Sequence, residues 1–121
     1  MKENVVKNKS FAFALRIVKL FQFLQSEKKE FVMSKQVLRS GTAIGALIRE
    51  AEQAESKADF IHKLAIAQKE ANETEYWLEL LFQSGYLNME QYQSSLTDVS
   101  ELRKILASII ITSKANQNGK R

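Results

Sequence analysis

Residues 56–85 read SKADFIHKLAIAQKEANETEYWLELLFQSG, and this stretch decides the fold. From Phe60, the residues Leu64, Ala67, Ala71, Thr74, Leu78 and Leu81 follow at steps of 4, 3, 4, 3, 4 and 3. That is the a/d spacing of a helix packed in a left-handed bundle. Ser56 stands as N-cap with Asp59 three residues on, close to a capping box. Gly85 offers the left-handed residue that ends a helix, with Tyr86 or Leu87 available to fold back on it. A second apolar group, Ile66, Tyr76, Trp77 and Leu80, points away from the seam. One helix with two apolar faces needs two partners, and the second group is the candidate subunit interface.

Upstream, a helix over 32–54 buries Met33, Val37, Ile44, Leu47, Ile48 and Ala51 and turns Lys35, Arg39, Arg49 and Gln53 the other way. Its interior run from Ser40 to Ala46 is small, although each glycine costs about 1 kcal/mol relative to alanine. The compensation is close approach of another backbone, and Ala67, Ala71 and Thr74 are small enough to face it. A phosphate-cradling loop is excluded, because no strand precedes the glycines and neither GxGxxG nor a Walker lysine is present.

A first helix over 10–26 takes Asn8 or Ser10 as its cap. Phe11, Phe13, Ala14, Leu15, Ile17, Val18, Phe21 and Leu24 cover an arc about twice as wide as a surface helix requires. This helix is therefore either central in its domain or covered by a second subunit. Residues 1–9 read as a frayed polar arm, and Glu27–Glu30 as the break before the next helix. Downstream, Asn88 and Gln91 form a capping box that opens a helix over 88–114. Its seam is Tyr92, Leu96, Val99, Leu102, Leu106, Ile109 and Ile110, and residues 115–121 read as a flexible tail. The expected architecture is all-α: one domain over 1–121, an antiparallel up-down-up-down four-helix bundle.

With no cysteine among 121 residues there is no disulfide framework or thiolate chemistry, as suits a reducing cytoplasm. No apolar run approaches spanning length and no secretory signal is present, so neither a membrane nor an export role is expected. The net charge of +4 is unevenly laid out. Residues 1–49 carry ten Lys/Arg against three acids, residues 50–101 carry three against eleven, and the remainder carries five bases alone. Such segregation marks either a polyanion-binding face or helices that neutralise each other inside the bundle.

Catalytic chemistry finds little support. His62 is the single histidine, whereas a di-iron bundle wants two Glu-x-x-His pairs. Glu70 and Glu73 share a helix face, but acid/base work needs a pocket that pushes their pKa values apart. A salt-bridging role with Lys69, Arg39 or Arg49 is the commoner fate of such a pair. No nucleophile elbow exists. The expectation is a non-enzymatic protein without cofactor or metal. Arg16, Lys19, Lys35, Arg39 and Arg49 are the candidate nucleic-acid contacts, through charge and counterion release.

Three segments carry a resemblance: Leu38-Arg39-Ser40-Gly41-Thr42-Ala43-Ile44-Gly45-Ala46 with Glu50-Ala51; Asp59 to Ala67; and Glu70 with Glu73-Thr74-Glu75-Tyr76-Trp77-Leu78. Together they resemble the small bacterial four-helix-bundle family that includes proteins encoded in intervening sequences of 23S ribosomal RNA genes. Many members have Asn-Ile-Ala-Glu-Gly-like residues where this chain reads Ala46-Leu47-Ile48-Arg49-Glu50-Ala51, which makes it a divergent form. The resemblance implies a homopentamer. It also implies similarity to the accessory protein of diversity-generating retroelements, a basic pentameric barrel that works with a reverse transcriptase and RNA. It supplies no catalytic residues. The functional expectation is thus an oligomeric bundle that binds structured RNA, with a protein–protein scaffold as the alternative.

Overall fold

Four helices, α1 (Lys2–Ser26), α2 (Met33–Glu52), α3 (Lys57–Gln83) and α4 (Met89–Gly119), make up the computed structural model, which describes residues 2–119. There is no strand among the described residues. Each helix packs against its sequence neighbours, and α1 closes the ring against α4 along the most sparsely packed of the four seams. Ion pairs such as Arg39–Glu73 and Lys63–Glu50 run in opposite residue order on α2 and α3, as antiparallel neighbours require. The chain is an antiparallel four-helix bundle.

The α3 seam holds from Leu64 through Leu81, every member at 2% exposure or less. At its N-terminal end Ile61 enters the core, while Phe60 stays half-buried. Facing it are Phe13, Ile17 and Leu24 of α1, Val37, Ile44 and Ile48 of α2, and Val99, Leu102 and Leu106 of α4. Each such side chain contributes about 1.5–3 kcal/mol on leaving water.

The helix ends follow local chemistry. Ser56 Oγ accepts from the Asp59 N–H at 3.0 Å, whereas the Asp59 carboxylate accepts from the Glu55 N–H at 3.4 Å. Asn88 and Gln91 complete their box reciprocally, at 2.8 and 2.9 Å. Gly85, at φ +88°, donates to Phe82 O at 3.1 Å, and Tyr86 donates to Leu81 O at 2.9 Å. That is a Schellman ending, and Leu87 folds back into the core.

Three features depart from the sequence reading. First, α1 begins at Lys2, so residues 2–9 are helix and not a frayed arm. Val6 is 1% exposed, and Lys7 and Lys9 reach Glu52 and Glu101 at 3.1 and 3.3 Å, so tertiary contacts hold a polar segment helical. Ser10 is no cap. It is buried in mid-helix and donates to the Lys7 carbonyl at 2.9 Å.

Second, the glycines of α2 admit α1 and not α3. A Cβ on Gly41 would lie 2.9 Å from Ile17 Cγ1, and one on Gly45 would lie 3.3 Å from Ser10 Oγ. At 100° per residue Gly41 and Gly45 share one side of α2, and Ser40 takes the side that meets α3. Third, α4 continues to Gly119, beyond the expected end at 114. The remaining tail residues, Lys120 and Arg121, lie outside the described residues, as does Met1.

The turn between α1 and α2 has its own device. Lys29, at φ 53°, reverses the chain so that the Glu30 N–H reaches Leu24 O at 2.9 Å. The Glu30 carboxylate then swings inward and accepts from the N–H groups of Val32, Met33 and Ser34 at 3.2, 3.0 and 2.7 Å. These are the first donors of α2, which its N-cap Val32 cannot satisfy.

Candidate nucleic-acid interface

Helical spacing sends Lys35, Arg39 and Arg49 to the outer side of α2, but their surroundings differ. Arg39 reaches across to α3. Its guanidinium lies 3.2 Å from Glu70 Oε1 and 2.5 Å from Glu73 Oε2. Hydrogen bonds to Glu73 and then Glu70 push the Arg39 pKa further up, despite some burial. Hydrogen bonds from Arg39 and then Trp77 hold the Glu73 carboxyl below the usual carboxylate range, against a smaller opposing effect of burial. Trp77 Nε1 donates to Glu73 at 3.1 Å. The Glu70–Glu73 pair is therefore the acceptor half of an ion-pair network, with Glu73 held to its charged form. That opposes its use as a general acid.

Arg16 sits on the opposite flank, where α1 meets α4. It pairs with Asp98 at 2.8 Å and also donates to Ser94 Oγ. Arg49 rests over the Phe11 ring, 5.1 Å from its centroid, in cation–π geometry. Lys19 and Lys35 are exposed and have no ion-pair partner among the described residues. The five candidates do not form one continuous face. Arg16 and Arg39 stitch separate interhelix seams, while Lys19, Lys35 and Arg49 keep their charge toward solvent. Lys28 and Lys29, in the turn that precedes α2, are exposed too. The sequence reading passed over them as a hydrophilic break. Their signal was two adjacent lysines in a break, Glu27–Glu30, that holds no apolar residue.

Of the candidate interface residues, Tyr76 is 56% exposed and meets Trp77 edge-on at 5.1 Å between centroids. Ile66, Trp77 and Leu80 are half-buried. Tyr76, Glu79, Leu80 and Gln83 line a shallow hollow of about 220 Å³. On α1, Phe11, Leu15 and Val18 are 50%, 53% and 37% exposed. The wide apolar arc of α1 is thus only partly absorbed by its own core.

Among the described residues no group of three His, Cys, Asp or Glu side chains is placed to hold a metal ion, and no helix is long and apolar enough to cross a membrane. His62 is exposed. An open groove along α4 is lined by Val5, Leu96, Ser100, Lys104, Ile105 and their neighbours.

With this geometry the comparisons are consistent. A crystal structure described as a protein of unknown function from the S23 ribosomal protein family of Bacteroides thetaiotaomicron is 67% identical in sequence and superposes with a TM-score of 0.90. The match covers 91% of this chain and 98% of that one. No curated protein matches significantly. The sequence profile of the 23S rRNA-intervening sequence proteins matches residues 2–108, nearly the whole bundle. The chain belongs to the 23S rRNA-intervening sequence protein family.

Proposed function

We propose that the protein is a non-enzymatic, cytoplasmic homo-oligomer, a pentamer by the resemblance, that binds structured RNA through basic residues gathered by assembly. The observation that carries this reading is the division of labour among the cations. Arg16 and Arg39 are taken up in interhelix ion pairs, whereas Lys19, Lys35 and Arg49, with Lys28 and Lys29, face outward. A few cations on one copy bind phosphate weakly. Repeated around an assembly, they act as linked sites whose avidity exceeds that of any single copy. The family's name refers to 23S rRNA, which makes ribosomal RNA the first target to try.

A titration with ribosomal RNA fragments over a salt series tests this. Binding is expected to weaken steeply with salt, by a log–log slope of about 0.7–0.9 per phosphate contact. Lys19→Glu with Lys35→Glu should flatten that slope while leaving the fold intact. Absence of binding at low salt sinks the reading. The second reading, a protein–protein scaffold, draws on the exposed Phe11, Leu15, Val18 and Tyr76, and would survive that result.

A further inference from the structure

The charges around the two exposed apolar faces differ, and the difference says how copies meet. Along α1, Phe11, Leu15 and Val18 follow at steps of four and three and form a ridge. Arg49 of α2 lies over Phe11 on one side, and Lys19 stands one turn beyond Leu15. From residue 4 to residue 26 α1 carries no acid. Two such ridges brought together would oppose cation to cation, so the ridge is not built to meet itself. The hollow on α3 is its counterpart. Tyr76 and Leu80 give it an apolar floor, and the exposed Glu79 stands at its edge. At about 220 Å³ it is large enough for a Phe or Leu side chain. Of the cations on this side, Arg39 is engaged by Glu70 and Glu73, and Lys69 lies seven residues from Tyr76, about two turns away and outside the hollow.

We propose that the Phe11–Leu15–Val18 ridge of one copy docks into the Tyr76–Leu80 hollow of the next, with Arg49 brought to Glu79, so that in the assembly Lys19, Lys28, Lys29 and Lys35 remain as the cations open to phosphate. This rests on the homo-oligomer reading given above and assigns its surfaces. The contact is heterologous: each copy offers a ridge to one neighbour and a hollow to another. Such contacts propagate until rotation closes them into a ring. The partner is therefore a second copy of this chain, chosen by complementary shape and opposite charge.

The arrangement has a signature that a two-fold contact lacks. Leu15→Glu spoils the ridge and leaves the hollow intact, while Tyr76→Glu does the reverse. By sedimentation, the wild type is expected to assemble and each variant alone to be monomeric. Their equimolar mixture should recover a dimer, because one intact ridge meets one intact hollow. Both side chains are exposed, and circular dichroism checks that each variant remains folded. In a second arm, Arg49→Glu and Glu79→Arg should each weaken assembly about five- to tenfold, and the two substitutions together should restore it. A monomeric wild type overturns the homo-oligomer reading itself. An assembling wild type whose Leu15→Glu form assembles equally well overturns only the assignment of faces. A mixture that stays monomeric, or a charge swap that fails to restore assembly, overturns the heterologous pairing.

Discussion

The hydroxyls of Ser40 and Thr74 lie 2.9 Å apart, both fully buried between α2 and α3. Thr74 Oγ1 is also 2.8 Å from the Glu70 carbonyl. A hydroxyl has one proton, so when Thr74 donates to that carbonyl it accepts from Ser40. Replacing Thr74 by Val keeps the shape and strands the Ser40 hydroxyl. Chemical denaturation should show a loss of about 1–3 kcal/mol. The pair Ser40→Ala with Thr74→Val should cost less than the sum of the single changes, since nothing is then left unpaired.

Gly41 and Gly45 should respond oppositely to alanine. At Gly41 the new Cβ would sit 2.9 and 3.0 Å from the two γ carbons of buried Ile17, a β-branched side chain that cannot turn away. Overpacking there should cost about 1–3 kcal/mol, and that cost should shrink in an Ile17→Ala background, which removes both γ carbons. At Gly45 the nearest atom is at 3.3 Å, and the helix gains about 1 kcal/mol of propensity. Thermal melts should place Gly45→Ala at or above the wild type.

Lys29 holds a left-handed backbone, φ 53°, with its side chain exposed. An L-residue pays about 1–2 kcal/mol for that conformation. Glycine avoids the cost but loses part of the gain to unfolded-state entropy. Lys29→Gly should therefore raise stability by about 0.5–1 kcal/mol, measured by denaturant midpoint.

Glu30 makes the fold sensitive to acid. Burial opposes its charge, but the N–H groups of Met33, Ser34 and Val32 outweigh burial and hold the carboxyl below its ordinary value of 4.5. A depressed pKa contributes stability that is complete above the unfolded value and is lost as pH falls through the folded one. Glu30→Gln should cost about 1 kcal/mol at neutral pH, the scale of a lost helix cap. It should also flatten the acid limb of a stability–pH profile.

Much of this was legible in the residues wherever the determinants are local. The α3 seam from Leu64 onward, the Asn88–Gln91 box and the Gly85 ending rest on residues a few positions apart, and each formed as read, whereas Phe60 at the start of the seam gives way to Ile61. The start of α1 was not legible. Four of the six residues 4–9 are polar, and Val6 in the core with partners as distant as Glu101 holds them helical. The glycine run announced close packing but not with which neighbour, because Ser40 and Gly41 are adjacent in sequence and face different helices. The basic residues hid their roles for the same reason. Arg16 meets Asp98 at a separation of 82 residues, and no local pattern distinguishes it from Lys19.

The seam between α1 and α4 bears on how the chain reaches this state. Its two ion pairs join residues 82 and 92 positions apart, whereas α2 and α3 form a hairpin across a four-residue connection. Closing the longer loop costs more entropy before any contact is made. The kinetic order that follows is contacts between neighbouring helices first and the α1–α4 seam last. Substitutions in that seam, such as Arg16→Ala, which loses both Asp98 and Ser94, should then speed unfolding and leave the refolding rate nearly unchanged. Leu78→Ala on α3 should slow refolding instead, and a chevron plot separates the two. The first and last helices of the chain would be the last to meet, so early in folding the bundle is an open ring whose α1 and α4 edges stand apart.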